Sequence, residues 1–395
     1  MANAPARVAH LQTPRQRLES VIQIARAHAS EVDCENRFPA ETFEALKRAR
    51  LLGVMIPAQY GGDSLSLADI VDMCGALGQA CASSAMIFAM HQIKVSSLVT
   101  HGTESAWHID FMKRVAAEQL LLGSATTEGG IGGDLRSSIC AIERDGAIFR
   151  LVKEANVISY GRQSDAILIT ARSHSGAASS DQVMAVVLRD QYALEKTIDW
   201  DTLGMRGTCS EGFRFTCEAP AEQIFPHPFA EIAAQSMLAM AHLMWGGVWF
   251  GIAADAVARA QAYLRAEARK RPGEKPPGAI RLAETVGVLQ EMKSVIVSGI
   301  SAYERAKLRD EELSSVGFSV AMNNVKVTTS QAAADIVRDV LLINGIYGYR
   351  NDSPYSVARH MRDALSAAIM INNDRILGNT SNLLLVSKFD TSLVA

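Results

Sequence analysis

Cysteine pairing of the kind that holds metals is missing. None of Cys34, Cys74, Cys81, Cys140, Cys209 and Cys217 stands two residues from another, so the spacing of zinc and redox sites is absent and no metal site is expected. They read as small buried hydrophobes in a reducing compartment, which points to the cytoplasm. An excess of one charge is missing too. The formal net charge is −3, with both signs interspersed, which argues against a nucleic-acid binder working by phosphate neutralisation. No apolar stretch follows Arg7, Arg15 and Arg17, so no signal peptide is expected. The one long apolar run, Met237 to Ala258, carries His242, Asp255 and glycines at 246, 247 and 251; a buried core helix suits it better than a membrane span.

What is present is a globular composition, 48% hydrophobic and 21% charged. At 395 residues the chain can form two or three domains with a core that needs no disulfide. The hydrophobic period changes twice. Leu18, Ile22, Ala25 and Ala29, then Phe43 and Leu46, repeat at helical steps. From Gly123 the signal turns to strands: Asp145-Gly146 is a hairpin turn before Ala147 to Val152, and Ala166 to Thr170, Val183 to Leu188 and Phe213 to Cys217 are short branched or alternating runs. After Phe225-Pro226-His227-Pro228 the helical period returns, with one stripe of Val286, Leu289, Met292, Ile296, Ile300 and Tyr303 and another of Leu365, Ile369, Ile376 and Leu383. The expected fold is α+β and multidomain. An N-terminal helical domain (15–122) precedes a middle antiparallel β-barrel or sheet domain (123–226) and a C-terminal helical bundle (230–395).

At the joints of this plan lie recognisable motifs. Phe38-Pro39-Ala40-Glu41 is followed by Leu52-Gly53, Ile56-Pro57 and Tyr60-Gly61-Gly62. Thr126-Thr127-Glu128-Gly129-Gly130-Ile131-Gly132-Gly133-Asp134 opens the β region, and Leu203 to Ser210 lies near its end. Together with Arg359-His360-Met361-Arg362-Asp363-Ala364 they resemble the acyl-CoA dehydrogenase superfamily over nearly the whole chain. The resemblance implies an FAD enzyme, with the flavin between the β domain and the last bundle. It places Thr126, Thr127, Gly132, Gly133 and Ser159 on the flavin, since glycine lets backbone N–H groups approach phosphate and hydroxyls bond the ring. The family's proline and serine are here Gly129 and Gly133, and its shielding aromatic is Val157. Arg269 resembles an arginine that reaches the FAD of a neighbouring subunit, which implies a homodimer or homotetramer; Asn344 and Gly345 would lie near the adenylate.

One part is absent. The family's base is a glutamate eight residues after the aspartate of Arg362-Asp363-Ala364, and that place holds Ile371; the alternative place holds Ala241, beside His242. The catalytic candidates left are Asp374, His91 and Asn372, with Asn372 expected to be buried on the apolar stripe. Three readings follow. The first is oxidation of an acyl thioester, carried by CoA or a carrier protein, with electrons passed to an acceptor protein. The second is a monooxygenase on the same fold, using O2 and FMN or another reduced flavin supplied by a flavin reductase. The third is a catalytically silent scaffold.

Overall fold

The computed structural model describes residues 12–131 and 134–388, which form two compact units. Of the described residues, those up to Ile70, from Met86 to Thr202 and from Arg206 to Ala241 make the first, and Val71–Ala85, Leu203–Met205 and those from His242 onward make the second.

Helices α1 (Pro14–Cys34), α2 (Ala40–Arg48), α3 (Leu67–Gly78), α4 (Ala82–His101) and α5 (Ala106–Glu118) come first. The start of α1 is fixed by chemistry: Thr13 and Gln16 form a reciprocal capping box, and Pro14 stands where no N–H is needed. Its inner face is Leu18, Val21, Ala25, Ala29 and Val32.

Among the described residues seven strands follow: β1 (Leu122–Ala125), β2 (Glu143–Asp145), β3 (Ile148–Ala155), β4 (Ala166–Arg172), β5 (Gln182–Leu188), β6 (Tyr192–Ile198) and β7 (Gly212–Pro220). Four pair antiparallel in the order β2-β3-β7-β6, and three form a second sheet, β1-β4-β5. The expected hairpin is there, since Asp145 pairs with Ile148 across Gly146, whose φ is +60°. β3 buries alternate residues, as a strand with one wet face should, whereas β4 is buried over six successive residues as the middle strand of its sheet. Phe149, Leu151, Ile167, Ile169, Val187, Phe213 and Phe215 make the shared core. One pairing departs from the all-antiparallel expectation: β1 runs parallel to β4. The chain leaves β1, builds the β2–β3 hairpin in the other sheet and only then returns, which is the long crossover a parallel pair requires.

In the second unit lie most of α7, which follows α6 (Phe229–Ile232) and a π-helical turn at Ala233–Met237, and then α8 to α13. They are α7 (Leu238–Lys270), α8 (Ala279–Ala306), α9 (Asp310–Leu313), α10 (Val316–Asn344), α11 (Ile346–Tyr349), α12 (Ala358–Leu365) and α13 (Asn373–Val386). Phe229–Lys270 is long and apolar enough to cross a membrane, but 83% of its apolar window is buried within the protein. Glycine makes this possible, because a Cβ at Gly251 would sit 2.3 Å from the Gly75 carbonyl oxygen. The buried face of α8 is Thr285, Met292, Ile296, Gly299 and Tyr303; Val286, placed on the stripe by periodicity, is exposed.

The expected C-terminal stripe does not form. The helix stops in a short 3-10 turn at Ser366–Ala368, Ile371 takes a left-handed φ of +53°, and Asn372 caps a new helix. The restart rotates the face, so Ile376 is buried while Leu365 and Ile369 are 45% and 70% exposed. The expected burial of all six cysteines is likewise corrected, because Cys34 is exposed.

Leu203–Met205 is held flat on α12. Arg362 Nη1 donates to Leu203 O (3.0 Å), Asp363 Oδ1 accepts from Met205 N (2.7 Å), and a Cβ on Gly204 would lie 2.2 Å from Arg362 O. Gly204→Ala should therefore cost about 1–3 kcal/mol of stability. Gly287→Ala, in the α8 interior with nothing within 4 Å, should instead gain about 0.5–1 kcal/mol. Urea denaturation of the two variants checks the contrast.

Candidate functional site

In the first unit, the Thr126–Gly130 loop runs beside the end of β3. Gly129 N donates to Glu154 O (2.9 Å), and Thr127 Oγ1 donates to Val157 O (2.9 Å), leaving its lone pairs for an imide N–H. Thr126 and Thr127 are half-buried and Val157 is exposed. Ser159 lies two residues on and shares a hydrogen bond with Ser210 (2.8 Å), which in turn meets Thr208 (2.7 Å). Gly130 turns the chain at φ +87°, a conformation that favours glycine, and a Cβ there would meet Ile139 at 3.1 Å. Gly132 and Gly133 lie outside the described residues.

The loop is braced from within. Glu128, 5% exposed, accepts from Ser138 Oγ (2.8 Å), Ile139 N (2.9 Å) and Cys140 N (2.6 Å). Burial pushes its carboxyl up, but the bonds from Ile139 and Ser138, the Lys153 charge and the Cys140 N–H outweigh that and hold it below the usual range. The half-buried Thr126 and Thr127, the linked hydroxyls of Ser159, Ser210 and Thr208, and a left-handed glycine turn suit a flavin. Ser210 and Thr208 were part of a recognised run but not of the site read from the sequence, because 51 residues separate Ser159 from Ser210 and only the fold brings them together.

His91 has a different environment. It is fully buried, Nε2 donates to Leu52 O (2.8 Å), and Nδ1 accepts from Leu122 N (3.0 Å). One donor and one acceptor demand the neutral ring. Burial pushes it down to about 4, with the Leu52 bond opposing only in part.

In the second unit, Asn344 is buried and donates from Nδ2 to Tyr355 O (3.0 Å), while its Oδ1 is buried without a partner. Gly345 ends α10 at φ +53°. Arg269 is exposed on the last turn of α7 and makes no ion pair among the described residues. Asn372, expected to be buried, is exposed: its Oδ1 accepts from Asp374 N (2.7 Å) as the cap of α13, and Asp374 is exposed in the first turn. The buried amide is its neighbour, Asn373, which bonds Lys326 (2.7 Å) and Ser330.

Lys326 was not singled out from the sequence, where nothing distinguishes it from a surface lysine. Its buried ammonium donates to Ala367 O (3.0 Å), Ile371 O (2.6 Å) and Asn373 Oδ1 (2.7 Å), and lies 5.7 Å over Trp249. Thus the main chain of Ile371, at the place of the family's base, is clamped by a cation. His242 is also buried, with Nδ1 against Met322 O (3.0 Å), and burial pushes it down to about 4.

Comparison with known proteins agrees with this frame. The acyl-CoA dehydrogenase N-terminal domain family matches residues 12–119, and the C-terminal domain family matches 232–379. The chain belongs to the acyl-CoA dehydrogenase superfamily. It is thereby a flavin-dependent oxidoreductase. It is 26% identical to the cyclohex-1-ene-1-carbonyl-CoA dehydrogenase of Geobacter metallireducens over 88% of this chain and 90% of the relative. Identity to an amino sugar nitrososynthase of Streptomyces rubradiris is 27%, over 87% and 82%. The FMN-bound dibenzothiophene monooxygenase of Paenibacillus sp. A11-2 shares the fold with a TM-score of 0.81 at 17% identity, covering 95% of this chain and 98% of that one.

Two outcomes are expected. Lys326→Met leaves buried acceptors unpaired and should cost roughly 1–3 kcal/mol for each, read as a lowered denaturation midpoint. Stability should also depend on acid. His91 and His242 fold with values of about 4 against an unfolded 6.5, so between these the unfolded chain binds more protons. The stability they confer is present above pH 6.5 and is lost as pH falls toward 4, by up to about 1.4 kcal/mol per pH unit each. Urea midpoints from pH 7 to 4 measure it, and His91→Gln should flatten the slope.

Proposed function

We propose that this protein is a flavin-dependent monooxygenase on the acyl-CoA dehydrogenase fold, acting with reduced flavin and O2 on a small aromatic or heteroatom-bearing substrate. One observation supports this over thioester oxidation: the place of the proton-abstracting carboxylate is Ile371, and its carbonyl is engaged by Lys326. The histidines that could stand in are neutral, buried and tied to main-chain groups. A base for a carbon-bound proton must reach its substrate at a pKa near working pH; His91 has both ring nitrogens engaged, and burial pushes both His91 and His242 down to about 4.

Thr126, Thr127, Gly132, Gly133 and Ser159 would hold the flavin ring and pyrophosphate, with Ser210 fixing the Ser159 hydroxyl. Asn344 and Gly345, with Arg269 from a second copy, would take the adenylate side of FAD. When bound, the reduced flavin supplies the electrons that activate O2. The protein's own part is to position substrate and exclude water, which buried hydroxyls and apolar walls can do without a titrating base. A homodimer or homotetramer is part of the proposal, because Leu385, Val386 and Ile369 are 85%, 80% and 70% exposed and such surface is normally covered. The proposed domains are 15–122, 123–226 and 230–395, and a cytoplasmic flavin reductase would be the electron source.

A second reading, acyl-thioester oxidation, rests on Asp374, the carboxylate three residues beyond Ile371. The two separate in one experiment. A monooxygenase consumes O2 when supplied with reduced flavin and is not bleached anaerobically by acyl-CoA, and Asp374→Asn keeps its rate within about twofold. Anaerobic bleaching by an acyl-CoA, with roughly 10²-fold or greater loss in Asp374→Asn as expected for a lost general base, would transfer the assignment to the dehydrogenase. Ser159→Ala should weaken flavin retention in either case.

A further inference from the structure

Three lysines among the described residues are buried, and they are not alike. Lys153 donates to Thr170 O (2.7 Å) and Oγ1 (3.2 Å), and Lys326 reaches three oxygens. Both ammonium groups are therefore solvated by the protein. Lys94, on α4 and 5% exposed, has one hydrogen-bond partner among the described residues, the thioether Sδ of Met237 at 3.3 Å, and no ion pair. A thioether is a weak acceptor, and a buried ammonium without an anion costs several kcal/mol. Burial pushes it down to about 8, so it remains mostly protonated at neutral pH. A leucine or methionine would fill the same space without that cost.

The surroundings are polar in a pattern. Met90, Lys94, Ser97 and His101 follow one another at four-, three- and four-residue steps, so they share one face of α4. The segment from His227 to Met237 faces them pair by pair. Met237 meets Lys94, Ser236 Oγ donates to Ser97 Oγ (3.3 Å), and the His227 ring lies 5.3 Å from that of His101. Met90 is half-buried on a stretch of α4 otherwise closed from Ala82 to Leu98, so the face carrying Lys94 has an opening one turn away. The chain opposite forms a π-helical turn at Ala233–Met237, a distortion that recurs at functional sites.

From this geometry we infer that Lys94, with the Ser97 and Ser236 hydroxyls on the same seam, is the anchor of a buried anion site that receives a carboxylate of the substrate. The ammonium supplies a charge-assisted bond that, among the described residues, only the Met237 thioether now accepts, and the Ser97 and Ser236 hydroxyls, which now donate to Ile93 O (3.3 Å) and Ile232 O (2.9 Å), can turn to the second oxygen. This makes the substrate an acid and not a neutral ring or amine. That the anion belongs to the substrate rests on the oxygenase reading; that an anion binds does not.

The test uses flavin-loaded protein and paired probes of equal shape, namely formate, acetate, butyrate and benzoate against formamide, acetamide, butyramide and benzamide. At least one carboxylate should raise the melting temperature in a concentration-dependent way while its amide does not. Lys94→Met should remove that response, weakening the carboxylate at least about tenfold, yet melt above the wild type without ligand because a bare buried charge has gone. Equal binding of acid and amide, or undiminished carboxylate binding by Lys94→Met, would overturn the site. A variant that melts several degrees below wild type would overturn it too, by making the lysine structural. A carboxylate that stabilises the protein and also perturbs the bound flavin spectrum supports the substrate assignment. Stabilisation with an unchanged spectrum keeps the anion site but refutes its place beside the flavin, whatever the oxygen-consumption assay reports.

Discussion

The first unit depends on a neutral imidazole. His91 joins the Leu52 carbonyl to the Leu122 amide, and so ties the turn after α2 to the start of β1 through the middle of α4. Neither main-chain group has water to turn to, and only a ring with one protonated nitrogen satisfies both. Gln92 reinforces the tie with bonds to the Leu51 and Leu52 carbonyls. Where β1 begins decides where the Thr126–Gly130 loop emerges, and therefore where the hydroxyl rim stands. His91, put forward for chemistry on the sequence, is in the structure a joint between two main-chain groups.

Charges are buried for distinguishable reasons. Glu128 and Lys326 each replace water with oriented protein groups: the carboxylate gathers the N–H and hydroxyl donors of Ser138 to Cys140, and the ammonium gathers the carbonyls of a broken helix. Both stabilise irregular backbone that regular hydrogen bonding leaves unsatisfied. Lys94 organises nothing of that kind, and the contrast within one molecule separates a scaffold charge from one awaiting a ligand.

The superfamily frame is kept while Ile371 stands where the family's glutamate is expected. Gly204 still lies against Arg362 and Asp363, so the recognised arginine and aspartate are structural contacts that hold Leu203–Met205 to α12. The place of the carboxylate, a few residues on, has become a left-handed isoleucine locked by a lysine. There the main chain of Ile371, and not its side chain, carries the polar contact.

The sequence by itself determined the order of helices, strands and helices, four of the strands, the hairpin at Gly146 and the absence of a glutamate at position 371. Each is a local signal of period, turn chemistry or motif, legible because neighbouring residues carry it. It did not determine β1, β2 or β6, nor the parallel pairing of β1 with β4, because short or exposed strands carry little hydrophobic pattern of their own. Nor did it determine the helix break: Leu365, Ile369, Ile376 and Leu383 keep a helical period across Ile371, and the interruption is made by Lys326, 45 residues earlier. Which lysines are buried, which amide of the Asn372-Asn373 pair faces inward and which hydroxyls meet Ser159 were decided only by tertiary structure. A side chain's partners are set by what the fold brings within about 3 Å, and no spacing along the chain records that.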